Sequence, residues 1–580
     1  MAILGVDVGG TFTDAVLVEA GQVRTAKVPT EARQEESVLA AARSVGAGAG
    51  VARFAHGTTV ATNALLERRG ARISYIGNAG FEQLLHLRRQ TRAHLYRLCA
   101  RHPEPLVPLD RCHGVRGRLG PEGELEPLDL DSLPDVGDAE AVVVCLLFAF
   151  RDPSHEQAVA EELRRRHPAV HVVASHEVAP EFREYERAST TAADAYLAPV
   201  AARYLRALAT AAAGAELPDP VVMLSSGGVL PADEAAAHPA RLLVSGPAGG
   251  VVGAGLMARR AGFEDAIAFD MGGTSTDVCL LPEGRAERVA EREVGGFPVR
   301  LPSVDVHTVG AGGGSLVWRD AGGALRVGPE SAGADPGPAC YGRGGGPTVT
   351  DANLLLGRLP EALPGGLVLD RDAAERALDG IDPAAVVEIV NAEMLRALRV
   401  VSVERGHDPR EFALVAYGGA GPLHACALAE ELGMEAVLVP AAAGVLSALG
   451  LAAGEERRDR VVSHVRSLGE VQDLPEEGEA DLRYRGQSFE LTVRLGGDLE
   501  ERFHRAHEER YGHADRGREV ELVAVRTADV VLLGPDLALP SGEPERRSGP
   551  ALVELDGSTL WISPGWVGAR DGGSWVVTRG

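Results

Sequence analysis

Residues 7–14 read Asp-Val-Gly-Gly-Thr-Phe-Thr-Asp, and residues 270–277 read Asp-Met-Gly-Gly-Thr-Ser-Thr-Asp. Both are DxGGTxTD. The first copy lies between the apolar runs 3–8 and 15–18, the second between 266–269 and 278–281. Each predicts a strand, a glycine turn and a second strand. A single DxGG is ordinary turn composition, but fixed positions recurring in two matching strand contexts are not. Two hairpins of one design at the head of two segments are the pattern of a duplicated α/β fold, one hairpin opening each lobe.

A turn carrying two glycines and then a threonine lets backbone N–H groups approach a phosphate, because no side chain blocks the way and the hydroxyl adds a donor. Gly9, Gly10 and Thr11 and their counterparts Gly272, Gly273 and Thr274 are therefore candidate phosphate ligands. A carboxylate beside phosphates is tolerated when Mg²⁺ lies between them, usually through water, so Asp7 and Asp270 are candidate catalytic and metal-side residues. Asp14 and Asp277, the last residues of each octapeptide, are read as holding their turns by accepting backbone hydrogen bonds. Gly418-Gly419-Ala420-Gly421 follows the apolar run 412–417 and precedes a helical stretch, 422–432. Gly418, Gly419 and Gly421 there offer bare backbone for a base or ribose. The run 245–250 (SGPAGG) reads as a close-packed helix start. His56-Gly57-Thr58-Thr59 precedes a helical stretch, 61–67; His56 and Thr58 are candidates to meet an anion or a substrate carbonyl, with helix capping by Thr58 or Thr59 the competing reading. Asp305, His307 and Asp335 sit on loops, and His424 is expected to pack within its helix.

At 580 residues the chain requires several cores. Lys plus Arg total 58 against 83 Asp plus Glu, a net charge of −25, and no basic cluster follows a phosphate backbone, so nucleic acid is not an expected partner. The six cysteines show no CxxC pair and read as reduced thiols. The run 2–8 is a strand rather than a leader, and runs such as 141–150 fall short of a membrane span, which makes a cytoplasmic protein the expectation. Residues 141–150 (AVVVCLLFAF) read as one buried strand and 155–166 as a helix. The region 309–346 is too rich in Gly and Pro for a long helix. Three segments are expected: an N-terminal lobe over 1–200, a central lobe over 201–455 and a C-terminal α+β region over 456–580, strand-like at 488–493, helical at 499–511 and Pro- and Gly-rich from about Gly534.

Paired DxGGT hairpins with a glycine turn for the nucleoside resemble the actin, Hsp70 and sugar-kinase superfamily, whose two duplicated lobes close over a nucleotide cleft. The wording VDVGGTFTD, HGTTVATNALLER, FDMGGTSTDV, VGAGGGS, ADPGPACYGRGG, TDANLLLGRL and YGGAGPLHA is similar to the hydantoinase A/5-oxoprolinase family, in that order across residues 2–455, and YRGQSFEL and HEERYGH extend it. The resemblance implies ATP and Mg²⁺ as cofactors. It implies ATP-dependent ring opening of a cyclic amide such as hydantoin, N-methylhydantoin or 5-oxoproline through phosphorylation of the amide oxygen. A ketone carboxylase subunit is the alternative within the family; a small-molecule kinase or an actin-like or chaperone-type ATPase lies outside it. About 125 residues after 455, one small domain's worth, contain no Gly-rich phosphate turn and no evident nucleophile or base grouping. A B-type hydantoinase subunit is thus the partner the resemblance implies, with a homodimer the competing expectation.

Overall fold

The two octapeptides build the same element twice. The computed structural model describes residues 2–363, 367–531, 543–571 and 573–580. In it β1 (Ala2–Val8) pairs antiparallel with β2 (Phe12–Glu19), and β2 with β3 (Gln22–Pro29). On the other edge of β1 lie β4 (Val51–Gly57) and then β5 (Pro220–Met223), both parallel to it. The second copy repeats the plan. β6 (Ala266–Met271) pairs antiparallel with β7 (Thr276–Leu281) and β7 with β8 (His307–Val309), while β9 (Ala413–Tyr417) and β10 (Ala436–Val439) add in parallel beyond β6. Tight turns suffice for the antiparallel meanders; the parallel strands need crossovers, and helices supply them. This is the duplicated α/β architecture expected from the sequence.

Two helices cross between the lobes. In α3 (Ser245–Arg260) and α5 (Leu446–Ala453) glycines let the backbones touch: a Cβ on Gly450 would come 1.8 Å from the Gly249 carbonyl, and one on Gly253 would come 2.7 Å from that of Leu446. Gly5 on β1 meets α5 the same way, its Cβ position being 2.1 Å from the Ala448 carbonyl. The SGPAGG run is thus the close-packed helix start expected. One apolar core runs through this junction, from Ile3 and Val16 of the first lobe to Phe269 and Val415 of the second.

Between β4 and β5 the first lobe carries a further sheet formed by Ile73–Asn78, Cys112–Gly120, Gly123–Asp129, Ala141–Val144 and His171–Ala174. The strand expected over 141–150 stops at Val144. Leu146 leaves the sheet and donates its N–H to the buried Glu156 carboxylate at 2.7 Å, from the first turn of helix Ser154–Arg166. The long helix α2 (Glu184–Gly214) then returns the chain to β5.

The region after residue 455 does not make a sheet of its own. Strands Glu456–Ser467, Glu479–Tyr484, Leu491–Arg494 and Val520–Val531 extend the first sheet, with helix Leu499–Tyr511 packed against them. Strands Glu545–Ser548, Trp566–Asp571 and Ser574–Arg579 extend the second from β10. β5 and Val229–Pro231, beyond the expected boundary at 200, likewise belong to the first sheet. The stretch from Gly534 lies in part on 532–542, outside the described residues. A buried ion network fastens these pieces: Glu181, 1% exposed, accepts from Arg300 and from Arg526, which also donates to Asp481 at 2.9 Å. No helix among the described residues is long and apolar enough to cross a membrane.

Candidate active site

Register places the charged groups of each octapeptide on a single rung. In the first lobe Gly57 of β4, Asp7 of β1, Asp14 of β2 and Lys27 of β3 stand side by side. In the second lobe Tyr417, Asp270, Asp277 and Thr308 do the same. Directly opposed residues share a sheet face, and in the first lobe it is the face toward the second, since Ile3, Val16 and Val23 of the same alternation pack in the shared core. Lys27 Nζ donates to Asp14 Oδ1 at 2.5 Å, and the Thr308 hydroxyl donates to Asp277. Each leading carboxylate lies flat over a glycine: a Cβ on Gly57 would meet Asp7 Oδ1 at 2.4 Å, and one on Gly418 would meet Asp270 Oδ1 at 2.2 Å.

Burial pushes the Asp7 carboxyl up to about 7, helped by the Asp14 charge and opposed by Lys27. Asp270 is pushed up to about 8, first by burial, then by Asp277 and by Asp7 itself. Asp7 and Asp270 take matching places in two lobes that share one apolar core. Asp14 and Asp277 are raised by burial too, against the pull of Lys27 on the one and of the Thr308 hydrogen bond on the other.

The two turns have one geometry. Gly9 N–H donates to the Phe12 carbonyl at 3.0 Å, and Gly272 N–H to that of Ser275 at 3.1 Å. Gly10, Thr11, Gly273 and Thr274 are exposed, and a Cβ on Gly10 or Gly273 would meet nothing within 4 Å. Packing does not demand glycine at those two positions, and bare backbone there is open to close approach. The second threonine of each motif has a different task. Thr13 and Thr276 are fully buried, the first sharing a hydrogen bond with the Thr30 hydroxyl at 3.0 Å, the second donating to the Ala311 carbonyl at 2.6 Å. The loop 310–315 lies on the second turn, where Gly313 and Gly314 donate to the Gly272 and Gly273 carbonyls at 3.0 and 2.7 Å.

Gly418, at φ +80°, donates its N–H to the Ala443 carbonyl at 2.9 Å, and Gly421 backs onto Met271 and Phe269, a Cβ there lying 3.4 Å from their backbone. Of the three glycines only Gly419 is exposed with no neighbour within 4 Å of a Cβ. A C-terminal hairpin, Ala551–Leu555 with Ser558–Ile562, crosses this end of the cleft. Ser558 donates to the Gly418 carbonyl at 2.8 Å, while at the hairpin's tip Asp556 accepts from Thr25 of β3.

His56 does not face the cleft. It pairs with Val6, one residue before Asp7, so its ring lies on the opposite face of the sheet. There Nε2 meets the Tyr204 hydroxyl at 2.8 Å and Nδ1 the Val6 carbonyl at 3.2 Å, and burial pushes the ring down to about 4, which keeps it neutral. The Thr58 hydroxyl accepts the Val60 N–H at 3.2 Å just ahead of α1 (Val60–Leu66), whose N-cap residue, Thr59, makes no side-chain capping bond. His424 packs within helix α4 (Gly421–Leu432), against Asn391 at 2.7 Å. Asp305 is paired with Arg405, His307 lies in β8, and Asp335 is exposed on its loop.

With this geometry in place, the comparisons with known proteins fall on the same segments. The hydantoinase/oxoprolinase N-terminal region matches residues 3–167 and the hydantoinase/oxoprolinase domain residues 187–460. Caprolactamase subunit alpha of Pseudomonas jessenii is 34% identical over 93% of this chain and 88% of that one. The chain belongs to the hydantoinase/oxoprolinase family. Its similarity to 5-oxoprolinase 1 of Arabidopsis thaliana is 34% over 82% of this chain and 44% of that longer protein. To the acetophenone carboxylase gamma subunit of Aromatoleum aromaticum it is 35% over 76% and 66%. The crystal structure of ATP-dependent caprolactamase from Pseudomonas jessenii superposes with a TM-score of 0.90 at 30% identity, covering 100% of both chains.

Two polar groups near these turns are not singled out as site candidates by the motifs. Lys27 completes the first rung, and its signal in the sequence is that every other basic residue of the 58 is arginine. Asp351 gathers the N–H groups of Ala339, Cys340 and Thr348 at 3.2, 2.7 and 2.8 Å, folding the 338–342 loop onto the helix it caps. The Thr-Asp pair opening an apolar helical run was its visible mark.

Proposed function

We propose that this chain is the ATP-using subunit of an enzyme that opens a cyclic amide by hydrolysis. The observation that carries the reading is the pair Asp7 and Asp270, at matching places in two lobes that share one core, each beside a Gly-Gly-Thr turn whose second glycine is free of packing. The residues present fit Mg-ATP. Exposed turn N–H groups at 10–11 and 273–274 suit phosphate oxygens, and Gly419 gives open backbone for the nucleoside. Among the described residues no three His, Cys, Asp or Glu side chains gather into a metal-ligand set, and Mg²⁺ needs none: it keeps several waters and takes one or two carboxylates, here Asp7 and Asp270. Bound there, the ion would neutralise phosphate charge. Two carboxylates raised by burial and by neighbouring carboxylates have the affinity for positive charge that such a site needs.

ATP is required because an amide carbonyl is a poor electrophile, and phosphorylation of its oxygen activates the carbon toward water while the ring C–N bond breaks to release the amine. The net reaction consumes ATP, two waters and the lactam and releases ADP, phosphate and the ring-opened amino acid. The lobes contribute positioning and charge neutralisation, the main demands of phosphoryl transfer. The named relatives support this reading, caprolactamase being ATP-dependent and one of its chains a subunit. A B-type hydantoinase subunit completes the hydrolysis, and a homodimer is the competing assembly.

The test is phosphate release from Mg-ATP by the purified chain, alone and with its B-type subunit, against caprolactam, hydantoin, N-methylhydantoin and 5-oxoproline. Turnover coupled to appearance of the ring-opened acid supports the reading. Turnover only with acetone and bicarbonate would replace it with ketone carboxylation, and a stable phosphorylated product with a kinase.

A further inference from the structure

Lys27 is the single lysine of the chain. Elsewhere the protein meets every need for a cation with arginine, including the exposed pair of Arg24 with Glu19 at 2.7 Å on the same two strands. A counter-ion for Asp14 alone would be met the same way. At Lys27 the chain instead places a compact, strongly hydrated point charge, a form suited to phosphate oxygens, in place of a planar fork suited to carboxylates.

The surroundings give that ammonium one direction to act. Its rung puts it on the cleft face with Asp7 and Asp14, its side chain is about one-third exposed at 32%, and its charge reaches Asp270 in the other lobe. Asp14 holds Nζ at 2.5 Å and so restrains the flexible stem. Gly557 at the hairpin tip lies beside the lysine stem, where a Cβ built on it would stand 3.5 Å from Lys27 Cε. The matching place in the second lobe is Thr308, a neutral hydroxyl. The two hairpins are alike along the octapeptide and differ at this rung by one positive charge.

We propose that Lys27 is a catalytic residue whose Nζ contacts the phosphoryl group that is transferred, making the first lobe the reacting side of the cleft and the second the nucleoside-holding side. The proposal rests on the Mg-ATP reading of the cleft. Its test separates the two.

Because the chain has one lysine, an ATP analogue with an acyl group on its γ-phosphate is a specific probe. The Lys27 amine, having lost its proton to solvent, attacks the acyl carbon; a C–N amide bond forms, the acyl–oxygen bond to the phosphate breaks, and ATP leaves. Mass spectrometry of peptides then reads two amines only, Lys27 and the amino terminus. Acylation at Lys27 that excess Mg-ATP suppresses at least ~10-fold is expected, with the amino terminus unprotected. Calorimetry of Mg-ATP with the parent chain runs beside it. ATP binding without protected acylation of Lys27 overturns the Lys27 proposal and leaves the ATP site standing, whereas absence of ATP binding overturns both.

Lys27→Met and Lys27→Arg provide the second readout. Loss of one preorganised donor to a transition-state charge costs ~100-fold in turnover. Phosphate release from Mg-ATP is therefore expected to fall about that much in both variants, with less than ~10-fold change in ATP affinity and an unchanged thermal midpoint. If Lys27 only neutralises Asp14, Arg restores turnover, and that result would sink the proposal.

Discussion

Asp7 and Asp270 stand in an environment that resists their ionisation, and that has a consequence for stability as well as for binding. Both are raised in the folded chain, to about 7 and about 8, by burial and by neighbouring carboxylates. A raised group contributes stability that is fully present below its unfolded value near pH 4 and is lost as pH rises through its folded value. Above pH 8 each carboxylate therefore burdens the metal-free protein. Asp7→Asn and Asp270→Asn, unfolded thermally in a chelator, are expected to show higher midpoints than the parent at pH 8.5. The gain is ~1–3 kcal/mol each, since one unit is about 1.4 kcal/mol, and it shrinks toward pH 5. A midpoint at pH 8.5 no higher than the parent's would contradict the placement. The same two variants are expected to lose Mg-ATP-dependent phosphate release, and parent-like release by either folded variant would remove it from the metal side.

The hairpins, the glycine turn after β9 and the crossing helices each carry a test at glycine. Gly419→Val is expected to weaken Mg-ATP binding by ~10-fold or more with little change in stability, because a side chain there meets no protein atom and intrudes only on a ligand. Gly469→Val, equally free of neighbours but far along the chain in a different element, is the control; equal affinity of the two by calorimetry counts against the nucleoside turn. Gly450→Ala forces a methyl toward the Gly249 carbonyl and is expected to destabilise by ~1–3 kcal/mol in chemical denaturation. The elements themselves were legible in the sequence. Both hairpins, β9 with its turn, and the helices at 422–432 and 499–511 followed from apolar runs punctuated by glycine. Which face a residue takes was not legible, because a strand's period of two turns a one-residue offset into the opposite side. His56 sits one step off Asp7 and is lost to the cleft, while Lys27, twenty residues from Asp7, joins it only through the pairing of β3. Nor does a strand-like run declare its sheet, and so the last 125 or so residues, expected together as one small domain, divide between two.

The lobes, the inserted sheet and the C-terminal strands are held in one arrangement by charges as well as by the shared core. Glu181 faces Arg300 and Arg526 in near-complete burial, so Glu181→Ala leaves two buried cations short of a partner and is expected to cost ~3–5 kcal/mol. Chemical denaturation reads that loss, and a near-neutral result would mean that water replaces the carboxylate. For activity, the lone chain supplied with ATP, Mg²⁺ and the lactam panel is expected to yield no sustained ring opening until its B-type subunit is added. Sustained ring opening by the single polypeptide would remove the partner from the proposal. The hairpin over the cleft has a further consequence, in the order of synthesis. Thr25 and Asp556, which it joins, are 531 positions apart, and contacts of such separation form late because the chain between them must be ordered first. A ribosome makes the first hairpin and the second long before it makes Ser558, which reaches the Gly418 carbonyl. The nascent protein therefore carries both Gly-Gly-Thr turns before the hairpin that links β3 to the turn after β9 exists, and nucleotide binding is expected to rise abruptly once that hairpin is translated rather than by degrees.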